Sequence, residues 1–156
     1  MALHKAIDIA NWFIAKREGI AGIMTNLKVQ KMLYYSEAWT QVLLGKELFA
    51  EQIQAWSSGP VVPDVFYALK EHDWNEIPAP DSQVVQGISP EVEEILKQVY
   101  DAYATEPEHT LELMAQEDAP WVKARGELCA EARCEVVIQK SEIRDFFREK
   151  YASYID

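Results

Sequence analysis

The residue types that most often carry catalysis are scattered along this chain. Its three histidines, His4, His72 and His109, fall in no HxxxH or HExxH pattern. An enzyme needs a nucleophile, a base and an orienting group that converge, or else a metal or a phosphate-binding loop. No histidine and no pair of acidic residues stands out for such work. We therefore predict no catalytic residue, no metal site and no cofactor.

The cysteines and the glycine-proline pair lead to the same expectation. Cys129 and Cys134 are five residues apart, which suits neither a zinc site nor a CxxC redox pair. Acidic neighbours of Cys129 disfavour the thiolate that a nucleophile needs. Gly59 and Pro60 lack the further glycines and the lysine of a phosphate-binding loop. We expect a non-enzymatic protein with two reduced thiols.

Two lysines lie inside the apolar face of a helix predicted from its N-cap, Thr25, to about Leu44. With about 100° per residue and Leu27 at 0°, Lys31 falls near roughly 40° and Lys28 near roughly 100°, among apolar side chains. A helix this apolar is predicted to lie at the centre of a domain. A narrow polar stripe lies near roughly 300° and consists of Gln30, Glu37 and Gln41.

Lys31 has two interpretations. In the structural one, its stem packs in the core while its amine reaches an acceptor or the solvent. In the functional one, it contributes to a recognition surface for a partner together with Lys28, Tyr34 and Tyr35. An enzymatic alternative is a small hydrolase or ligand-binding protein with a site near Lys31, Tyr35 and Trp56.

The segment over residues 56–66 is predicted to be rigid. Gly59 can adopt a backbone conformation closed to other residues, and two prolines stiffen the chain beside it. A rigid apolar loop loses little entropy when it binds a partner. The alternative is that this segment only connects a strand to the next helix. The residues that we expect to contact a partner here are Trp56, Gly59, Pro60, Val61, Val62, Pro63 and Phe66.

The remaining pattern predicts a single compact domain over residues 1–156, in the α+β class and predominantly α-helical, with a central buried helix. Short strands at 51–56 and 136–138 are expected to form one small antiparallel sheet. A helical bundle is the alternative. Turn and loop signals lie at 57–60 and 75–87, and Thr110, Asp118 and Ser141 are predicted N-caps. The other helices are predicted over about 3–17, 63–70, 89–103, 110–116, from 119 and from 141.

The net charge of −11 limits the choice of partner, because 15 basic residues are spread among 26 acidic ones. Nucleic-acid binding needs clustered Lys and Arg, so no direct nucleic-acid contact is expected. An acidic surface favours solubility and also encounter with a basic protein. No run of 18 apolar residues and no secretory leader is recognisable, so we expect a cytoplasmic protein without a membrane contact.

Three longer segments, together with the short G-K-E-L-F at residues 45–49, carry a family resemblance. Residues 24–35 read M-T-N-L-K-V-Q-K-M-L-Y-Y, residues 53–66 read I-Q-A-W-S-S-G-P-V-V-P-D-V-F, and residues 113–125 read L-M-A-Q-E-D-A-P-W-V-K-A-R. They resemble the T-N-L-K-L-Q-K-L-L-Y-Y, I-E-A-W-x-x-G-P-V-V-P-E-V-Y and L-S-x-x-T-H-x-E-x-P-W-x-x-A-R motifs of the Panacea-domain family of SocA-like and GepA-like proteins. Val29 and Met32 are conservative departures. The Thr-His pair is absent, and Ala115 and Gln116 stand nearest to it by register.

The resemblance implies a protein-binding role. Panacea domains look like the neutralising half of toxin–antitoxin pairs in bacteria and their prophages, and they bind the toxin directly. SocA-like members also deliver the bound toxin to the ClpXP protease. We therefore expect an antitoxin that acts on its cognate protein toxin by direct contact, with the proteolytic adaptor as the alternative. The toxin cannot be named, because Panacea domains are paired with unrelated toxins.

Overall fold

The computed structural model describes residues 2–16, 24–72, 87–126 and 135–154. These residues form seven α-helices, one three-stranded antiparallel sheet and short 3-10 helices at Lys70–His72 and Ala152–Tyr154. The prediction of a predominantly helical α+β fold is confirmed. The α-helices are α1 (Ala6–Lys16), α2 (Asn26–Leu44), α3 (Pro63–Ala68), α4 (Pro90–Tyr103), α5 (Glu108–Gln116), α6 (Ala119–Arg125) and α7 (Lys140–Lys150).

Helix α2 lies at the centre of the fold, as predicted. The Thr25 hydroxyl accepts a hydrogen bond from the backbone N–H of Lys28, and Gly45 ends the helix in the left-handed conformation. Fifteen of the 19 residues of α2 are buried. Helices α1, α4, α5 and α7 and the sheet all pack against it. Helix α2 is therefore the central element of the described core.

The sheet has the strand order β2-β1-β3, in which β1 is Ile53–Trp56, β2 is Gly59–Val61 and β3 is Val137–Ile138. The predicted pairing of residues 136–138 with the strand near Ile53 is confirmed. The prediction that Gly59 and Pro60 belong to a turn was wrong, because both are paired with β1. The β2 strand tolerates a proline because it lies at the edge of the sheet.

Two predicted N-caps were also wrong. Helix α5 already begins at Glu108 and α7 at Lys140, so Thr110 and Ser141 lie inside these helices. Asp118 does precede α6, but its side chain makes no capping hydrogen bond. Its carboxylate contacts α2 and α7 instead.

Some predictions fall on residues outside the described part of the chain. They concern the thiols of Cys129 and Cys134 and the loop at 75–87, except for Gly87 itself. The single-domain interpretation of residues 1–156 stays a prediction for the same reason.

Side chains in the N-terminal half of the polar stripe on α2 form hydrogen bonds with the segment that follows the hairpin of β1 and β2. Gln30 accepts a hydrogen bond from the backbone N–H of Val62 at 2.9 Å and donates its amide to Asn26 at 2.9 Å. Asn26 donates in turn to the carbonyl of Phe66 at 3.0 Å. Both side chains are fully buried. Leaving such groups unpaired would cost about 1–3 kcal/mol each, so these bonds determine where α3 begins.

The C-terminal half of the stripe fixes the loop that follows α2. The buried carboxylate of Glu37 accepts hydrogen bonds from the backbone N–H groups of Leu48 at 3.0 Å and Phe49 at 3.1 Å. The amine of Lys140 lies 3.5 Å from Glu37 and 3.4 Å from Glu47. Burial raises the pKa of Glu37 above its usual value, although Lys140 and the two N–H groups lower it. One carboxylate thus joins α2, the loop and α7.

Replacing Glu37 by Gln is expected to lower the free energy of unfolding by about 2 kcal/mol. The amide can accept only one of the two backbone hydrogen bonds well, and it removes the charge that faces Lys140. Urea denaturation followed by circular dichroism measures the loss. Glu47→Gln is the matched control, since Glu47 faces the same amine but is exposed, and it should cost less than about 1 kcal/mol. Equal losses in the two variants would contradict the role of Glu37.

Candidate functional site

The four predicted binding residues on α2 lie inside the protein. The exposed fraction is 3% for Lys28, 0% for Lys31, 0% for Tyr34 and 2% for Tyr35. In this conformation they offer no surface to a partner. Their part in recognition stays a prediction, and the geometry favours the structural interpretation of Lys31.

The predicted residues of the hairpin segment divide into buried and accessible ones. Three reach the surface in part, namely Trp56, Pro63 and Phe66. The others are buried, namely Gly59, Pro60, Val61 and Val62. A partner that docks on this segment would therefore meet aromatic rings rather than the valines.

Lys31 packs against strand β2 of the hairpin. Its amine donates a hydrogen bond to the carbonyl of Pro60 at 3.4 Å. A Cβ atom added at Gly59, where φ is +108°, would lie 2.9 Å from Cε of Lys31. Burial lowers the pKa of Lys31 to about 8, although Glu112 and Glu108 raise it. The lysine stem thus occupies the space that the glycine leaves open.

Helix α5 forms a hydrogen bond with the turn of the hairpin. The amide of Gln116 donates hydrogen bonds to the carbonyl of Ser57 at 2.7 Å and to Glu112 at 3.3 Å. At the opposite end of α5, the Thr25 hydroxyl donates to Glu108. Gln116 stands nearest by register to the Thr-His pair of the Panacea motif. In this chain that position therefore provides a donor to the hairpin backbone.

Three aromatic side chains form a partly exposed surface where the hairpin meets α3. The ring of Trp56 lies 4.9 Å from Phe66 and 6.1 Å from Tyr67, and the last two lie 5.6 Å apart. We call Trp56, Phe66 and Tyr67 the aromatic patch. Tyr67 is 55% exposed. Sequence reasoning missed it because it follows the motif segment by one residue, and its exposure depends on how α3 packs.

Hydrogen bonds from other helices hold the backbone of the aromatic patch. The indole N–H of Trp121 donates to the carbonyl of Trp56 at 2.8 Å. The Asn26 amide donates to the carbonyl of Phe66. A surface whose backbone is fixed from two sides loses little conformational entropy when a partner binds.

A separate buried cluster joins α2, α6 and α7. The hydroxyl of Tyr34 donates to Asp118 at 2.8 Å, and the other carboxylate oxygen lies 3.5 Å from the amine of Lys150. Burial raises the pKa of Tyr34 and of Asp118. The phenol therefore stays neutral and donates a hydrogen bond, so it has the character of a structural group and not of a base.

The three residues of the alternative site near Lys31, Tyr35 and Trp56 each make separate contacts. Lys31 lies beneath the hairpin, whereas the ring of Tyr35 stacks on Tyr103 with centroids 3.9 Å apart. Within the described ranges, no group of three or more His, Cys, Asp and Glu side chains could hold a metal ion. No helix in those ranges has the length and apolarity to cross a membrane.

A family model connects this geometry to known proteins. Residues 29–122, more than half of the chain, match the model described as "Antitoxin SocA-like, Panacea domain". The chain belongs to the SocA-like Panacea family. No curated protein and no solved structure matches it significantly. The resemblance drawn from the motifs is thus confirmed, and membership of the SocA-like family supports a general antitoxin role.

The Lys31→Met variant of this SocA-like domain tests whether burial lowers the pKa of the Lys31 amine. Between about pH 8 and the unfolded pKa of 10.5, the unfolded wild type binds the proton that the folded state has lost, so wild-type stability rises with pH. The unfolding free energy of the variant minus that of the wild type should therefore fall by about 2 kcal/mol between about pH 8 and pH 10. Urea denaturation across this range measures it. A difference that does not change with pH would show that the amine reaches solvent.

Gly59→Ala is expected to destabilise the protein by about 2–3 kcal/mol, because the backbone has a positive φ and the new Cβ would meet Lys31. Gly87→Ala is the control, since its φ of +92° is close to that of Gly59 but it faces open space. It should cost only about 1 kcal/mol. Thermal unfolding of both variants gives the comparison, and equal losses would rule out the contact with Lys31.

Proposed function

We propose that this chain is an antitoxin that neutralises a protein toxin by direct contact, with no bond made or broken. The observation that carries the proposal is the aromatic patch, which is fixed by the fold and partly open to solvent in a chain of an antitoxin family. Tyr and Trp are enriched among the residues that dominate binding energy at protein interfaces. The antitoxin and its toxin are proposed to meet in the cytoplasm.

The chemistry of the partner follows from the charge. A net charge of −11 attracts a basic protein over long distances and disfavours nucleic acid. An arginine of the toxin would suit the partly exposed rings of the aromatic patch. We therefore propose a toxin with basic residues around its contact surface.

A second candidate role is the adaptor that delivers the toxin to ClpXP. An adaptor needs two binding surfaces, and a second exposed apolar surface lies far from the aromatic patch. Asn26 contacts the backbone of Phe66, whereas Leu43, which is 45% exposed, lies seventeen residues further along α2. That separation corresponds to roughly 25 Å along the helix axis.

The test uses the open reading frame beside this gene, if its product is toxic alone and harmless when both are expressed. Tyr67→Ser is expected to weaken the purified complex by about tenfold or more, because it removes an exposed aromatic contact without disturbing the core. Isothermal titration calorimetry gives the affinity, and growth after co-expression reports neutralisation. Val122→Ser is the matched control, since Val122 is also an exposed apolar residue at 48% and belongs to neither proposed surface, and it should leave both nearly unchanged.

The outcomes separate the proposals. Equal effects of Tyr67→Ser and Val122→Ser would reject the aromatic patch as the contact surface. A chain that binds no polypeptide and turns over a substrate would overturn the antitoxin assignment. Toxin degradation by purified ClpXP that requires this chain would establish the adaptor role.

A further inference from the structure

A groove of about 290 Å³ runs between α2 and α4, and we call it the α2–α4 groove. Its polar side chain is Gln98, and its rim at the end of α2 includes Leu43. The volume is at the lower limit of the roughly 300–1,000 Å³ typical of small-molecule pockets, which suits two or three apolar side chains better than a cofactor. Its apolar walls include Trp39, Leu43, Ile95, Val99 and Ala102.

The groove is open to solvent. Leu43 is 45% exposed and Trp39 is only partly buried. Ala102, which also lines the groove, is exposed. Removing such apolar surface from water contributes roughly 25 cal/mol for each Å² to binding, which is opposed by the entropy cost of association.

The α4 wall of the groove has an acidic outer rim. With Ile95 at 0° and about 100° per residue, Glu91, Glu94 and Asp101 fall at roughly 320°, 260° and 240°, on the solvent side of that wall. All three are exposed. Lys97 falls at roughly 200°, turned further away from the groove. A partner in the groove would therefore meet three carboxylates along one edge.

This combination favours one kind of occupant. A second copy of the chain would bring two bodies of charge −11 together with their acidic rims in contact. An anionic membrane surface is disfavoured for the same reason. A basic helix with one apolar face complements both the groove and its rim, and this is a common mode of peptide recognition.

We propose that the α2–α4 groove binds a basic amphipathic helix of a protein partner. Large apolar side chains of that helix pack on Trp39, Leu43 and Val99, and its Lys or Arg side chains face Glu91, Glu94 and Asp101. The groove lies at the opposite end of α2 from the aromatic patch, so its occupant is a segment other than the one bound there. The proposal does not depend on the antitoxin role.

The probe is a fluorescently labelled synthetic peptide of about four helical turns, with Leu along one face and Lys on the flanks. A peptide with the same Leu positions and Glu in place of Lys is the matched probe. Fluorescence anisotropy with the full chain, at about 0.15 M salt, measures binding. The basic peptide should bind about tenfold or more tightly than the acidic one.

Two variants locate the site. Leu43→Ser removes an apolar contact at the rim, and Ala102→Trp fills the groove from an exposed position, so neither disturbs the core. Each should weaken binding of the basic peptide by about tenfold, whereas Tyr67→Ser on the aromatic patch should leave it unchanged. Circular dichroism confirms that each variant is folded.

Several results would overturn the proposal. The basic peptide could fail to bind, or it could bind the two groove variants as tightly as the wild type, which would indicate general attraction to an acidic surface. Equal binding of the acidic peptide would remove the charge argument. A dimer in sedimentation that Leu43→Ser dissociates would assign the groove to a second copy. Neutralisation of the toxin is read in a separate assay, so a failure here leaves that function standing.

Discussion

The fold depends on the burial of polar side chains along one stripe of α2. Asn26, Gln30, Glu37 and Gln41 are all buried, and each makes its hydrogen bonds to segments that come later in the chain or to one another. Leaving one of these four side chains unpaired would cost about 1–3 kcal/mol. Their hydrogen bonds therefore favour the observed positions of the hairpin, the loop after α2 and the start of α7. Helix α2 thus positions the backbone of these three segments.

This arrangement also connects the core to the candidate binding surface. The aromatic patch lies on backbone fixed by Asn26 and Trp121, and the hairpin beneath it rests on the stem of Lys31. The rings of this candidate surface are thus positioned by residues that are themselves buried. The family motif includes both kinds of residue, so a motif residue of this domain can act by supporting the candidate surface instead of forming it.

Local signals in the sequence predicted much of this fold. A hydroxyl at Thr25 and a glycine at Gly45 were enough to bound α2, and the β-branched run near Val137 was enough to pair it with β1. Tertiary contacts decided the rest. Periodicity grouped Gln30 with Glu37 but could not show that both accept backbone N–H groups inside the core. It also could not reveal that Tyr67 stays exposed, since this depends on the packing of a six-residue helix.

The proline in β2 determines which contacts the sheet can make. Ala55 pairs with Pro60, but its N–H donates to Val136 on the β3 side, so the nitrogen and the carbonyl of Pro60 face the outer edge. That nitrogen carries no hydrogen, and the carbonyl already accepts from Lys31. A foreign strand would find neither donor nor acceptor at this residue. Addition of a strand is therefore disfavoured at the β2 edge of the sheet, and a protein that meets this edge would contact side chains instead of extending the sheet.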